Sequence, residues 1–504
     1  MPPQQPTEAA SVLLTRGPGS SEVFLIRRSE ALRFFGGFWA FPGGKVDRRD
    51  AAIPLQPTPA DDGLSVRRTA AARELFEETG VLVARTAGGG FPSSISNIDH
   101  WRSEILEDRL SFAELLVHLG LTLHAADFRV LGSVTTPPFA PMRFDTAFFL
   151  AHLPPGQEAA VWPGELDQGR WLSGSDMLAC WTRGECLVSP PSVMILEAIR
   201  GRSVDEAPVR LAPLLRSFAD GALHPIYFAP EVQLIPLHTL ALPPSTHTNA
   251  YLVGRDPAYL FDPGPSDPAE QQRLFDLLDA RQRTGYRLAA VVLTHHHSDH
   301  IGAAAACAER YRLPVWAHPL TAEVLRGRIE VTRCLQDGER LDLGACPDGS
   351  GSWYLEAIHT PGHARGHLAF YEPHYRLLFA GDMVSTLSSI VIVPSEGDLA
   401  VYLESLRRLQ KYDCRLLLPS HGNVSARPAE TLRECLEHRA RREGQLLEAL
   451  AAGPRTLDEL APESYKGLPA ELMRFARLQL LAGLYKLQRE GRVQVVGDGW
   501  RLTE

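Results

Sequence analysis

The apolar run Val291-Val292-Leu293-Thr294 leads straight into His295-His296-His297-Ser298-Asp299-His300. A run of that kind forms a buried strand, so the polar cluster after it must lie where a sheet ends. The arrangement recurs downstream. His363 follows Thr360-Pro361-Gly362, Asp382 follows Phe379-Ala380-Gly381, and His421 follows Leu418-Pro419-Ser420. Each comes after a strand-like run, so loops could bring all of them to one edge of a sheet. Neutral imidazole and carboxylate together suit zinc, and Asp382 could bridge two ions about 3.5 Å apart.

A second cluster, Arg73-Glu74-Leu75-Phe76-Glu77-Glu78-Thr79-Gly80, has a different logic. Glu74, Glu77 and Glu78 stand at i, i+3 and i+4, so a helix places them on one face. Carboxylates that close repel one another unless a cation joins them. All-oxygen ligation suits a hard ion, Mg²⁺ or Mn²⁺. Arg73 could brace one carboxylate through a bidentate contact. Upstream, Phe41-Pro42-Gly43-Gly44-Lys45-Val46-Asp47 supplies a turn where backbone can approach a phosphate. A cation bridging the carboxylates and a diphosphate would polarise phosphorus and help generate hydroxide.

A chain of 504 residues is too long for one core and suggests roughly three domains. With 44% hydrophobic and 22% charged residues it has a soluble globular composition. No apolar run reaches the ~18–20 residues that span a bilayer, and Met1-Pro2-Pro3-Gln4-Gln5-Pro6 lacks the features of a signal peptide. A cytoplasmic, non-membrane protein is expected. The seven cysteines form no CxxC pair, which reads as reduced thiols. A net charge of −9 argues against broad electrostatic binding to nucleic acid, leaving only a local basic groove.

Strand patterns at Val23–Ile26, Phe38–Phe41, Arg129–Val134 and Thr146–Leu153, with a helix at Val66–Thr79, predict a mixed first domain over residues 9–222. The Pro-punctuated stretch Ala207–Pro244 reads as joint material. Strands over Asn249–Phe261, Leu288–Leu293 and Leu377–Ala380 alternate with helices such as Ala303–Tyr311 and predict an α/β hydrolase scaffold over 223–430. From Glu434 helices dominate, and residues 431–504 end in a hairpin around Gly497-Asp498-Gly499.

Residues Arg73–Val81 match the second half of the Nudix motif throughout, and Gly44 would be its opening glycine. The first domain therefore resembles the Nudix diphosphate hydrolases. That resemblance implies an α/β/α sandwich in which Glu74, Glu77 and Glu78 bind metal, one of them serves as base, and Gly43, Gly44 and Arg73 shape the substrate loop. Asp50 stands where a Glu is usual, and an insertion with Pro54, Pro57 and Pro59 separates the motif halves. The insertion, Arg27–Asp47 and Arg143–Phe149 resemble the coenzyme A diphosphatase branch, particularly its peroxisomal members. That branch cleaves CoA or acyl-CoA to 3′,5′-ADP and (acyl-)phosphopantetheine.

The histidine-rich constellation resembles the metallo-β-lactamase superfamily over roughly residues 230–430 and implies an αββα sandwich. By that resemblance His295, His297 and His363 hold one zinc, Asp299, His300 and His421 a second, and Asp382 bridges them. A metal-bound hydroxide is then the nucleophile, and Asp299 joins Glu74 and Glu77 as a candidate catalytic side chain. His296, His359 and His367 fall outside the ligand pattern and read as orienting or structural groups. Phe261-Asp262-Pro263-Gly264 reads as a turn that shapes the fold.

Ile392–Leu406 and the C-terminal module resemble the branch containing a mitochondrial β-lactamase-like endoribonuclease, with its winged helix. Glyoxalase II-like thioesterases share the metal set, but no glutathione-specific signal is present. The winged helix lacks a dense basic stripe. Arg439, Arg441 and Arg442 have the spacing of a solvated face, which favours a lid or packing role.

The expectation is a multidomain α/β, bifunctional metal-dependent hydrolase acting on a small-molecule substrate such as CoA or acyl-CoA. Its zinc site would cleave an ester, thioester or phosphodiester. The alternatives are an RNA-processing endoribonuclease with an accessory Nudix domain, and a zinc hydrolase regulated by a silent Nudix ligand sensor. Oligomeric state is left open.

Overall fold

A computed structural model describes residues 5–17, 19–33, 35–57, 63–92, 95–140 and 142–503. Pro59 of the insertion and the first four residues of the N-terminal Pro/Gln run lie outside the described residues. The chain divides into two compact units, Met1–Gln233 and Leu234–Glu504.

In the first unit the central strand Thr7–Arg16 pairs in parallel with Phe144–His152 and antiparallel with Glu22–Arg28, within an eight-stranded mixed sheet. Successive side chains of a strand point to opposite faces. Val12 and Leu14 accordingly join one core with Ala70, Ala71, Leu75 and Phe76 of the helix Ser65–Thr79. Leu13 joins the opposite core with Met177, Leu178, Val193 and Leu196. Those residues come from the helices Gly174–Thr182 and Pro190–Ala198. Both faces of the sheet are covered by helices, giving the expected α/β/α sandwich.

The motif helix ends at Gly80, whose φ of 73° is the left-handed conformation that glycine adopts without strain and that lets its N–H cap the Phe76 carbonyl. The four strands expected in this unit lie within two residues of observed ones, but the central strand Thr7–Arg16 has no counterpart among them. One expectation fails: Ala207–Pro244 is not mere joint material. It contains the helix Ala207–Ala219 and the strands Ile226–Ala229 and Val232–His238. Pro208 falls in the helix's first turn, where no N–H is needed, and Pro213 is carried inside the helix.

Two large sheets form the body of the second unit. One contains His247–Gly254, Ala258–Phe261, Leu288–Val292, Val315–Ala317 and Arg333–Cys334 in spatial order. The other runs Arg340–Ala345, Ser352–His359, Leu368–Glu372, Leu377–Ser385 and Leu416–His421. They meet face to face at Phe261, whose ring lies 5.0 Å from Phe370 and 5.9 Å from Phe379. Burying a phenylalanine contributes roughly 1.5–3 kcal/mol, one of many apolar contributions that hold the layers together.

Helices Pro268–Arg283 and Leu399–Leu409 accompany the two sheets. Beyond them Pro428–Leu450, which starts earlier than the expected Glu434, continues into the C-terminal module. That module adds helices Leu457–Ser464 and Met473–Arg489 and a hairpin pairing Val493–Val496 with Gly499–Leu502 around its own small core. Among the described residues, no helix is long and apolar enough to cross a membrane, and all seven cysteines are free thiols.

Candidate functional site

In the first unit the glycine pair Gly43-Gly44 sits in a short strand beside Ala9–Ser11. A side chain on Gly43 would collide with the Ala10 carbonyl, and its own N–H donates to Glu78 Oε2 at 2.7 Å. A Cβ on Gly44 would lie 2.6 Å from the Glu74 carboxylate. Only glycine at both positions lets backbone meet the acidic helix face this closely.

Arg73 donates from Nη1 to Glu74 (2.9 Å) and Glu77 (3.0 Å), and from Nε and Nη2 to the two oxygens of Asp50 (2.8 and 3.0 Å). Asp50, fully buried, is thus the partner of the motif arginine, and its departure from the usual Glu leaves a complete bidentate pair. Burial pushes the Glu74 carboxyl up to about 7 against the pull of Arg73, with Glu77 adding to the rise. Burial, then the neighbouring Glu74, also drives Glu78 well above the carboxylate range, while burial raises Glu77. Crowded, desolvated carboxylates of this kind favour a divalent cation as their common partner.

In the second unit, all seven predicted donors converge. His295 Nε2 and His363 Nε2 lie 3.0 and 2.9 Å from His297 Nδ1, and both face Asp382 Oδ2, at 4.0 and 3.4 Å. His300 Nε2 and His421 Nε2 face the other oxygen, Oδ1, at 3.5 and 3.4 Å. Asp299 Oδ2 lies 3.4 Å from His421 Nε2 and 3.9 Å from His300 Nε2. One carboxylate therefore stands between two groups of donors.

The remaining ring nitrogens are all engaged by the protein. His295 Nδ1 meets Thr294 Oγ1, His300 Nδ1 meets Asp262 Oδ2 at 3.0 Å, His363 Nδ1 meets the Val391 carbonyl, and His421 Nδ1 meets the His247 carbonyl. His297 presents Nδ1 inward and Nε2 to Glu396, 2.9 Å away. Such contacts fix ring orientation and tautomer, leaving the inward nitrogen as a ligand.

The fit to a metal can be tested on the donors themselves. Among the described residues, His300 Nε2 and Asp382 Oδ1 are buried polar atoms without a hydrogen-bond partner, and both belong to this cluster. Buried polar atoms are ordinarily satisfied, so the pair marks where ions fit. The electrostatics agree. Burial opposes protonation of His421, yet the Asp382 and Asp299 carboxylates raise it to about 10, so positive charge is strongly favoured between them. Burial, reinforced by the neighbouring His297, holds His363 down to about 4, so its inward nitrogen is a free lone pair at neutral pH.

The sequence reading missed three features. Asp262, taken as a fold-shaping turn, orients His300 and also accepts from the Thr294 backbone and hydroxyl. Glu396 backs His297. Asp382 lies within a strand and His421 ends one, not in loops after them, and the pairing of those two strands shifts register around Gly381. At Gly381, with φ 53°, a Cβ would strike His367 Nε2, which instead accepts the Asp382 N–H at 3.0 Å. His367 is thereby an orienting group, as expected. His359 stacks on His318, and its Nε2 engages the Arg365 carbonyl.

Three family models match the chain. They are the NUDT19 Nudix domain over residues 55–199, the metallo-beta-lactamase superfamily over 244–421 and the beta-lactamase associated winged helix domain over 456–500. The chain carries these three domains in that order. Its two larger domains make it a metal-dependent hydrolase.

The chain is 28% identical over 268 residues to the lactamase-like protein adaB of Aspergillus niger, covering 50% of this chain and 78% of that protein. It is 26% identical over 259 residues to an atrochrysone carboxyl ACP thioesterase of Aspergillus fumigatus, covering 49% of this chain and 77% of the relative. A solved NUDIX hydrolase from Alicyclobacillus acidocaldarius is 29% identical at a TM-score of 0.37, covering 41% of this chain and 96% of its own.

Proposed function

We propose that the chain is a bifunctional hydrolase. Its metallo-β-lactamase domain cleaves a thioester, and its Nudix domain cleaves the diphosphate of CoA, acyl-CoA or a related nucleotide derivative. The observation that carries the first half is Asp382, whose two oxygens face two separate groups of imidazoles. We assign His295, His297 and His363 to one zinc and Asp299, His300 and His421 to the other, with Asp382 between. Zinc held there would supply Lewis-acid polarisation of a carbonyl and an activated water. Asp262, Glu396 and the Val391 carbonyl hold the imidazoles in their ligating orientation, and Asp299 is placed to accept a proton beside the second group.

The second half rests on Glu74, Glu77 and Glu78, held by Arg73 and by the Gly43 N–H. Magnesium or manganese there would neutralise charge on a diphosphate. The match to a NUDT19 Nudix domain supports Nudix hydrolase chemistry, and the name of the Aspergillus fumigatus relative supports thioester cleavage; the CoA assignment rests on the resemblance of Arg27–Asp47 and Arg143–Phe149 to the coenzyme A diphosphatase branch. The free thiols agree with a cytoplasmic location.

An RNA-processing role draws no support from the arginines that could have served it. Arg439 is buried, with its guanidinium on the Ile390 carbonyl, and Arg442 donates to the Ser464 carbonyl. The solvated face expected of these residues is corrected for both; Arg441 alone is exposed.

The test is mass spectrometry of products from the zinc- and magnesium-loaded protein given an acyl-CoA. Free acid is expected from the zinc site and 3′,5′-ADP from the Nudix site. An untouched substrate with both metals bound would reject the proposal.

A further inference from the structure

A cavity of about 660 Å³ joins the metal-donor cluster to the winged helix, within the size range of small-molecule sites, roughly 300–1,000 Å³. His297, Asp299, His363, Asp382 and His421 line it on one side, and residues of the helices Pro428–Leu450 and Met473–Arg489 on another.

One short segment ties the two sides together. The Val391 carbonyl orients His363, the Ile390 carbonyl accepts from Arg439, and the Ile392 N–H donates to Gln479 Oε1. The C-terminal module is therefore hydrogen-bonded to the segment that holds a metal-donor imidazole. Its position over the reactive centre is built in.

The polar side chains of that wall are engaged by other parts of the protein. Arg439 and Gln479 bind the segment just described. Arg442 donates to the Ser464 carbonyl, with its guanidinium 4.2 Å from the Tyr465 ring centroid. Glu443 pairs with Lys486 and Arg492. What faces the cavity is then largely apolar: Leu446, Leu468, Leu472, Phe475 and Leu480 on the module, with Leu240 and Leu242 on a loop beside them. Leu240 is 81% exposed and Leu242 40% exposed.

Exposed apolar surface costs roughly 25 cal/mol per Å², so an apolar occupant would be stabilised here. A phosphate backbone would find the wall's guanidiniums already committed to carbonyls and rings. The occupant must also carry its hydrolysable bond at the donor cluster, because the same space opens on both.

We propose that this cavity takes the apolar acyl chain of the substrate and that the winged helix selects acyl length. The proposal rests on the reading of the zinc site as a thioesterase, so its test needs a readout independent of turnover.

That readout is binding of the fluorescent fatty acid cis-parinaric acid to the full-length protein. Saturable binding is expected, weakened about tenfold by Ala476→Phe, which fills the cavity, and by Leu472→Gln, which makes its wall polar. Two variants guard against a misfolded one, and circular dichroism reports which is folded. In parallel, each variant should lower the ratio of kcat/KM for palmitoyl-CoA over acetyl-CoA by a similar factor.

The proposal is overturned by absence of parinaric acid binding to the wild type, by binding that neither folded variant weakens, or by displacement with a single-stranded oligouridylate. Binding without hydrolysis of either acyl-CoA would uphold the cavity and reject the thioesterase reading instead.

Discussion

The two candidate centres gather their donors by opposite means. The Nudix site is written on consecutive turns of one helix, and its three carboxylates would share a face even in isolation. The metallo-β-lactamase site draws on residues from 295 to 421, and only the pairing of strands brings them within reach of one carboxylate. The helical site depends on restraining groups that repel. The other depends on a register shift, two packed sheets and a partner for every imidazole. The first should therefore tolerate distant changes, and the second should fail when its outer supports are removed.

The largest effect should come from Asp382→Asn, which removes the charge between the two groups of imidazoles. Zinc-site turnover should fall by at least roughly a hundredfold, and zinc content by elemental analysis should drop, while Nudix turnover is unchanged. Loss of both activities in a folded protein would dissolve the comparison.

Next, Asp262→Ala leaves His300 without its anchor, and metal affinity should weaken about 10–100-fold with no loss of global stability beyond a few kcal/mol. A chelator competition titration measures it; unchanged affinity would mean that the outer contacts do not orient the ligands.

Asp50→Ala probes the Nudix site's own brace. It takes away the bidentate partner of Arg73 and leaves only Glu74 and Glu77; removing one partner of a buried pair costs up to about 3–5 kcal/mol, to be read as a lowered unfolding midpoint of the first unit. A near-neutral change would show that Glu74 and Glu77 alone hold the arginine.

The smallest effect is on pH. Glu74 titrates at about 7 and not in the ordinary carboxylate range, so below that pH it carries a proton that the cation must displace. Mn²⁺ affinity at the Nudix site should fall as pH drops through 7, by up to about tenfold per pH unit. Isothermal titration at several pH values checks this, and a flat profile would contradict the buried-carboxylate account.

The comparison also explains what was legible in the sequence. The helix Ser65–Thr79 and its acidic face follow from spacing within one element, whereas position after apolar runs gives only candidate donors, and the set of seven follows from the resemblance to the metallo-β-lactamase superfamily. Contacts across the fold were not legible. Nothing near Asp262 announces that it meets His300, 38 residues later, and nothing near Asp50 announces the guanidinium of Arg73. Arg439 and Arg442 have the spacing of a solvated helical face, yet packing buries the first and spends the second on a carbonyl. The stretch from Ala207 misled because proline reads as a breaker, yet here Pro208 sits in a helix's first turn while Pro213 and Pro236 are carried inside a helix and a strand.

The most direct test is anomalous diffraction at the zinc edge, from crystals of the full chain grown with zinc and magnesium. The account predicts two zinc peaks flanking the Asp382 carboxylate, one against His295, His297 and His363 and the other against Asp299, His300 and His421. It predicts none at Glu74, Glu77 and Glu78. A single peak beside Asp382, or zinc settled on the acidic helix, would contradict it.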